Sequence, residues 1–269
     1  MAIKSKYNEG KYNDGIYNLT LSISGSLVAL ILDGKGQYMG TPEPDALDIG
    51  DTWTLGIWSR PLDNPEHATV FSTAAPRDLR NEINISSTPI STPAGSLEVD
   101  NASLRVIIKD ENGTTIKHIS WSDYFQYDQW THVFLQWDGT ELNAFKNGAV
   151  TVTGSAFVNS SGTMADSPDR FTYYGAAVGP YAPFSGSIGH LALWDTILAE
   201  EEFGTVVSGA FDIDLLTSTG TYVSSASLKH WWQPGQDQSD IGRDYAGSLG
   251  LDKLQRIDID NVLPDEPIV

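Results

Sequence analysis

Apolar and polar positions alternate along this chain over short runs and seldom recur at helical spacing. "DTWTLGIWSRP" (51–61) sets Trp53, Leu55 and Ile57 against Thr52, Thr54 and Gly56. That is the two-residue period of a half-buried strand. "ATVFST" (68–73) and "RNEINIS" (80–86) read as further short strands. "SLRVIIKDENGTTIKHISW" (103–121) predicts a hairpin turning at Asn112-Gly113. "WTHVFLQWDGTELNAFKNGAVTVTG" (130–154) predicts three strands turning at Asp138-Gly139 and Asn147-Gly148. Such dipeptides supply the positive-φ positions that two-residue hairpin turns need. "DRFTYYGAAVG" (169–179) and "FSGSIGHLALWD" (184–195) add two more strands. A helix is expected over "AEEEFGTVVS" (199–208), where Glu200, Glu201 and Glu202 complement the positive end of its dipole. A second short helical piece is expected over 210–217. The pattern predicts an all-β protein, an antiparallel two-sheet sandwich with one or two short helices near the C-terminal end of the domain.

The first residues depart from both periods. "KYNEGKYNDGIYN" (6–18) repeats a five-residue unit, placing Tyr7, Tyr12 and Tyr17 each before an asparagine. No regular element keeps positions five apart on one face. Gly10 and Gly15 favour turns instead. Two readings follow: an arm whose tyrosines dock on a partner, or an edge strand folded back on the sandwich. Tyrosine suits docking because it offers a large rigid contact at low entropic cost and keeps a polar tip.

Composition sharpens this contrast. The net charge is −19, yet residues 1–18 carry Lys4, Lys6 and Lys11 against Glu9 and Asp14. So acidic a body repels nucleic-acid phosphates and anionic membranes, which excludes both as expected partners. There are 25 glycines and 13 prolines, so turns are frequent and long helices are not expected. No cysteine is present, so disulfides are excluded. "MAIKSKYNEG" lacks the apolar core of a signal peptide, and "LTLSISGSLVALIL" (19–32) is too short and polar to span a bilayer.

Three stretches, in this order, resemble a known family. "ALILDGKGQYMGTPEPDALDIGDTWTLGIWSRP" (29–61) carries an Asp-Gly turn followed by an aromatic, a proline-containing loop and a Trp-rich strand. "DQWTHVFLQWDGTELNAFKNGAV" (128–150) carries a Trp-x-His strand, an Asp-Gly turn and a strand ending in Asn-Gly. "FSGSIGHLALWDTILAEEEF" (184–203) carries a strand followed by an acidic helix. Together they resemble the laminin-G-like, concanavalin A-like jelly-roll domains. Ala199 departs from the Ser or Thr that usually caps this helix in the family. The resemblance implies a jelly-roll over 27–208; on either side of it, 1–26 is read as the N-terminal docking arm and 209–269 as a C-terminal extension that packs on the sandwich or on a neighbour. The tail from "LKHWWQPGQDQSDIGRDYAG" (228–247) resembles an ending found on laminin-G-like proteins of bacteriophage particles. This implies a non-enzymatic virion structural protein, for capsid decoration or as a fibre- or tail-associated subunit. Its expected partners are other virion proteins and copies of itself in a homo-oligomer. The alternatives are a free carbohydrate-binding module or adhesin, and a sandwich-fold glycan hydrolase.

Candidate chemistry is sparse. Glucanases on such sandwiches use Glu-x-Asp-x-x-Glu; the nearest approach is Glu98 and Asp100 with Ser103 in the third position, which lacks the proton donor. The histidines (67, 118, 132, 190, 230) show no paired metal spacing, and His132 alternates with Phe134 as a packed strand residue would. No cofactor is required. Calcium, which relatives often bind, has oxygen-rich candidates at Asp45/Asp48/Asp51, Asp237/Asp240/Asp244 and Asp258/Asp260/Asn261. Among the aromatics, Trp121 and Trp130 are expected to plug the sandwich. Tyr124, Tyr127 and Trp232 are the ligand-binding candidates, because sugar rings stack on exposed aromatic faces.

Overall fold

The computed structural model describes residues 20–24, 27–34, 37–41, 47, 49–62, 68–75, 80–89, 101–150, 154–164, 171–176, 182–209, 212–234 and 242–253. The Tyr7, Tyr12 and Tyr17 arm lies outside them, as do Glu98 and Asp100. The strands are β1 (Thr20–Ser24), β2 (Leu27–Asp33), β3 (Met39–Gly40), β4 (Trp53–Pro61), β5 (Ala68–Ala75), β6 (Arg80–Pro89), β7 (Asn101–Lys109) and β8 (Thr115–Gln126). They continue with β9 (Thr131–Trp137), β10 (Leu142–Lys146), β11 (Ala149–Val150), β12 (Ser155–Asn159), β13 (Phe171–Tyr174), β14 (Ser185–Trp194), β15 (Leu228–Trp232) and β16 (Asp252–Lys253). One helix, α1 (Glu200–Gly209), and a 3-10 turn (Ser224–Ser227) lie between β14 and β15.

The strands form two antiparallel sheets. The first runs β1-β2-β14-β4-β9-β10-β11, with β15 also beside β14; the second runs β12-β8-β7-β6-β5-β13-β3-β16. The expected turns carry the hairpins: Gly113, Gly139 and Gly148 have φ of 78°, 91° and 79°, and Asn147 joins them at 52°. β14 is the hub. It pairs with β4 on one side, and on the other with β2 along Ser185–Ile188 and with β15 along Leu191–Trp194. The C-terminal segment thus completes the first sheet.

Two cores follow from the alternation. Between the sheets, Trp53, Leu55, Ile57, Val133, Leu135, Trp137, Leu191 and Leu193 meet Leu104, Val106, Ile108, Ile119 and Trp121. On the outside of the first sheet, Phe134, Phe145, Ala192 and Trp194 are covered by Phe203 and Val206 of α1 and by Ile213, Leu215, Tyr222 and Trp231. β9 is therefore buried along its whole length. Each large side chain so buried contributes about 1.5–3 kcal/mol. Gly56 is needed here, because a Cβ at this position would lie 3.0 Å from the Phe134 ring and 3.1 Å from His132.

The helix begins one residue later than expected, and its missing cap is replaced. Glu202 is buried, and its carboxylate accepts the backbone N–H of Ala199 at 2.9 Å. The same carboxylate accepts Val223 N–H, Ser224 N–H and the Ser224 hydroxyl. This is the returning half of a capping box, used also to fasten the following loop. Residues 212–217 are not helical: Asp214 accepts the N–H of Leu216 and the hydroxyl of Thr217, holding a turn in place of the second helix.

Candidate functional site

Where the open ends of the two sheets meet, β10 of the first faces β8 and β12 of the second across a groove of about 490 Å³. Its volume falls within the range of small-molecule sites. Trp121 and Ile119 of β8 and Leu142 of β10 give it an apolar floor. Asn143, Asn159, Glu141 and, from the first turn of α1, Glu200 give it a polar rim, all four being exposed. Trp121 is 5 % exposed, and its indole N–H bonds to no protein group among the described residues. Gly154 forms part of the wall by close approach, since a Cβ there would lie 2.8 Å from the indole and 2.5 Å from Ile119.

Beneath the rim, the Lys117 ammonium lies 5.3 Å over the Trp137 ring and bonds to the Asn159 amide oxygen. Burial lowers its pKa, while the charges of Glu141 and Asp138 oppose the shift. The groove itself offers an apolar floor with amides and carboxylates at its rim. Such groups can hydrogen-bond the hydroxyls of a sugar ring laid over the floor. Glu141 and Glu200 are exposed at the rim of the groove.

The aromatic candidates from sequence are placed differently. Tyr124, expected at the surface, is 2 % exposed; its hydroxyl donates to the Phe145 carbonyl at 2.6 Å, and burial pushes its pKa well up. The reason is a break in alternation. Between the pairs Leu104–Trp121 and Ala102–Phe125, β8 carries two extra residues, and Asp123 adopts a φ of 53°. This turns both Tyr124 and Phe125 inward. Tyr127 is partly buried against the inter-sheet core. Trp232, expected to bind ligand, is fully buried and donates to the Leu249 carbonyl at 2.7 Å. Trp231 points the other way into the outer core, so β15 is buried on both faces. Trp121 is buried as expected, and Trp130 is half-buried with its ring edge-on to Trp58. None of the three candidates lines the groove; no residue pattern marked it, because its parts come from five separate segments.

The buried histidines are structural. His132 sits between Trp58 and Phe134, and its pKa falls well below the usual value through burial and the neighbouring His190. His190 accepts the Trp231 indole N–H at 3.3 Å, and burial lowers its pKa to about 4. His230 bridges Asp244 and the Leu47 carbonyl, each at 2.7 Å.

Asp244 does not fit a calcium ligand. One oxygen takes the N–H groups of Trp231, Ala246 and Gly247; the other takes His230 and Leu249 N–H. Asp51 is exposed, and the remaining members of the three acidic groups lie outside the described residues. Among the described residues no three His, Asp or Glu side chains are grouped to hold a metal.

No curated protein sequence matches the chain. Among solved structures, a heptameric pentraxin of Limulus polyphemus is 18 % identical, with a TM-score of 0.49 over 70 % of this chain and 85 % of its own. A candidate carbohydrate-binding protein of Bacteroides ovatus is 16 % identical, with a TM-score of 0.51 over 80 % of this chain and 57 % of its own. Tailspike protein 2 of an Escherichia coli O157:H7 bacteriophage is 9 % identical, with a TM-score of 0.51 over 81 % of this chain and 28 % of its own. These likenesses concern the fold. Residues 33–203 match the family described as the concanavalin A-like lectin/glucanases superfamily, and the chain belongs to that family.

Proposed function

We propose that this chain is a non-catalytic, carbohydrate-binding jelly-roll protein that takes a glycan in the groove between β10 and β12. The observation that carries the reading is the pairing of an apolar floor at Trp121 with a rim of exposed amides and carboxylates. The exposed position of Glu141 and Glu200 at the rim is the reason to read binding without hydrolysis. The test is calorimetric titration with a panel of neutral oligosaccharides, using Glu141→Ala/Asn143→Ala as the rim variant. Binding that is lost in the variant at unchanged Tm, with no new reducing ends released, supports the reading. A panel without any binder, or a variant that binds normally, defeats it.

A second reading places the protein on a bacteriophage particle, as a decoration or tail-associated subunit and homo-oligomer. The contrast between the basic tyrosine-bearing arm and the acidic body favours it. Deleting residues 1–18 then abolishes incorporation into particles; unchanged incorporation rejects the docking role of Tyr7, Tyr12 and Tyr17. Calcium belongs to neither reading as a requirement, and titration in the presence of a chelator checks this.

A further inference from the structure

We propose that Arg105, His118 and Phe157, on the outer face of the second sheet, form a subsite for the carboxylate of an acidic sugar; this rests on the glycan-binding reading. β12 carries Phe157 as an extra residue, since Ala156 pairs with Ile119 and Val158 with the adjacent His118. Bulges of this kind re-aim a side chain. Here Phe157 is left 69 % exposed, its ring centroid 4.6 Å from that of His118.

Arg105 of β7 approaches the same imidazole from the other side, its Nε–H donating to His118 Nε2 at 2.7 Å. An accepting Nε2 puts the ring hydrogen on Nδ1. Burial, and then the charge of Arg105, hold the His118 pKa below its usual value. With Nε engaged, the guanidinium is fixed in orientation while Nη1 and Nη2 bond to no protein group among the described residues. Its cross-strand neighbours are Ser86 and Ser120, so neither supplies a charge. Among the described residues no acid pairs with this guanidinium, in a chain of net charge −19.

The free Nη edge matches the two oxygens of a carboxylate. His118 Nδ1–H adds a donor, and the open face of Phe157 takes the C–H face of a pyranose. A carboxylate suits the site better than a phosphate monoester, because the group at the guanidinium then carries one negative charge instead of two. Phe157 lies on β12 between Ala156 and Asn159, which line the groove, so subsite and groove share this strand.

The experiment is calorimetric titration of the full chain with trigalacturonate and with its methyl ester, in wild type, Arg105→Gln and Phe157→Ala. The acid is expected to bind about tenfold or more tighter than the ester, the value of a charge-assisted bidentate pair. Arg105→Gln should erase that preference, and Phe157→Ala should weaken both ligands at unchanged Tm. Equal affinities for acid and ester, or a preference that survives Arg105→Gln, overturns the inference. Tighter binding of a tetraglutamate peptide than of the sugar overturns the ligand class. If neutral oligosaccharides bind the groove while trigalacturonate shows no preference, only this inference fails; if no glycan binds at all, the functional reading falls with it.

Discussion

At the scale of single residues, the molecule depends on a few buried polar groups with full sets of partners. Glu202 takes four hydrogen bonds from the start of α1 and from the loop after Tyr222. Glu202→Ala strands these donors and is expected to cost roughly 2–4 kcal/mol in urea unfolding. Glu202→Gln keeps the shape but turns an amide N–H toward other N–H groups, and loses part of the same stability. The histidines set the pH response. His190 stays neutral in the folded state, with its pKa lowered to about 4, whereas the unfolded chain takes up a proton near 6.5. Stability therefore falls as pH drops from about 6.5 toward 4, by on the order of 3 kcal/mol for this residue. His132, lowered in the same direction, steepens the slope. Denaturant melts between pH 7 and 4 measure this, and His190→Gln, which takes up no proton, should flatten the curve. Asp244 acts in a lower window. Burial would raise its pKa, but hydrogen bonds from His230, Gly247 and Trp231 outweigh this and lower it. Its contribution is present above the usual carboxylate pKa and is lost as pH falls through the lowered value.

At the scale of elements, the strands and their turns were legible because period-two alternation and Asx-Gly dipeptides act locally. β4, the β7–β8 hairpin and the β9–β10–β11 meander follow directly from them. What alternation could not reveal were its interruptions. The Asp123 irregularity buries Tyr124, and the Phe157 bulge exposes an aromatic on an edge strand. Each is decided by the partner strand's register, which the segment itself does not encode. The groove was illegible for a related reason: its floor and rim are brought together only when the two sheets stack. Gly154 tests this geometry. Gly154→Ala is expected to cost about 1–3 kcal/mol by pressing on Trp121 and Ile119, and to shift the tryptophan emission. An unchanged Tm and spectrum would mean that the wall is not as tight as the distances state.

At the scale of the whole molecule, the family-matched region, residues 33–203, is not the whole folding unit. β15 lies against β14 and sends Trp232 into one core and Trp231 into the other, while Asp244 pins the segment behind it. A chain ended after residue 209 is expected to lose cooperative thermal unfolding, as followed by circular dichroism. A sharp transition in that truncated chain would show that the extension is dispensable. The chain's net charge of −19 bears on association rather than fold, keeping copies apart wherever basic groups do not intervene.

The position of β15 also bears on how the protein is made. Its partner β14 ends more than thirty residues earlier, so during synthesis the first sheet waits with the Leu191–Trp194 part of one side of its hub strand open. Closure comes only when Leu228–Trp232 has left the ribosome, and until then an apolar seam is available to other nascent chains. Yield in a host should therefore depend on growth temperature and chaperone supply more than the finished protein's stability would indicate.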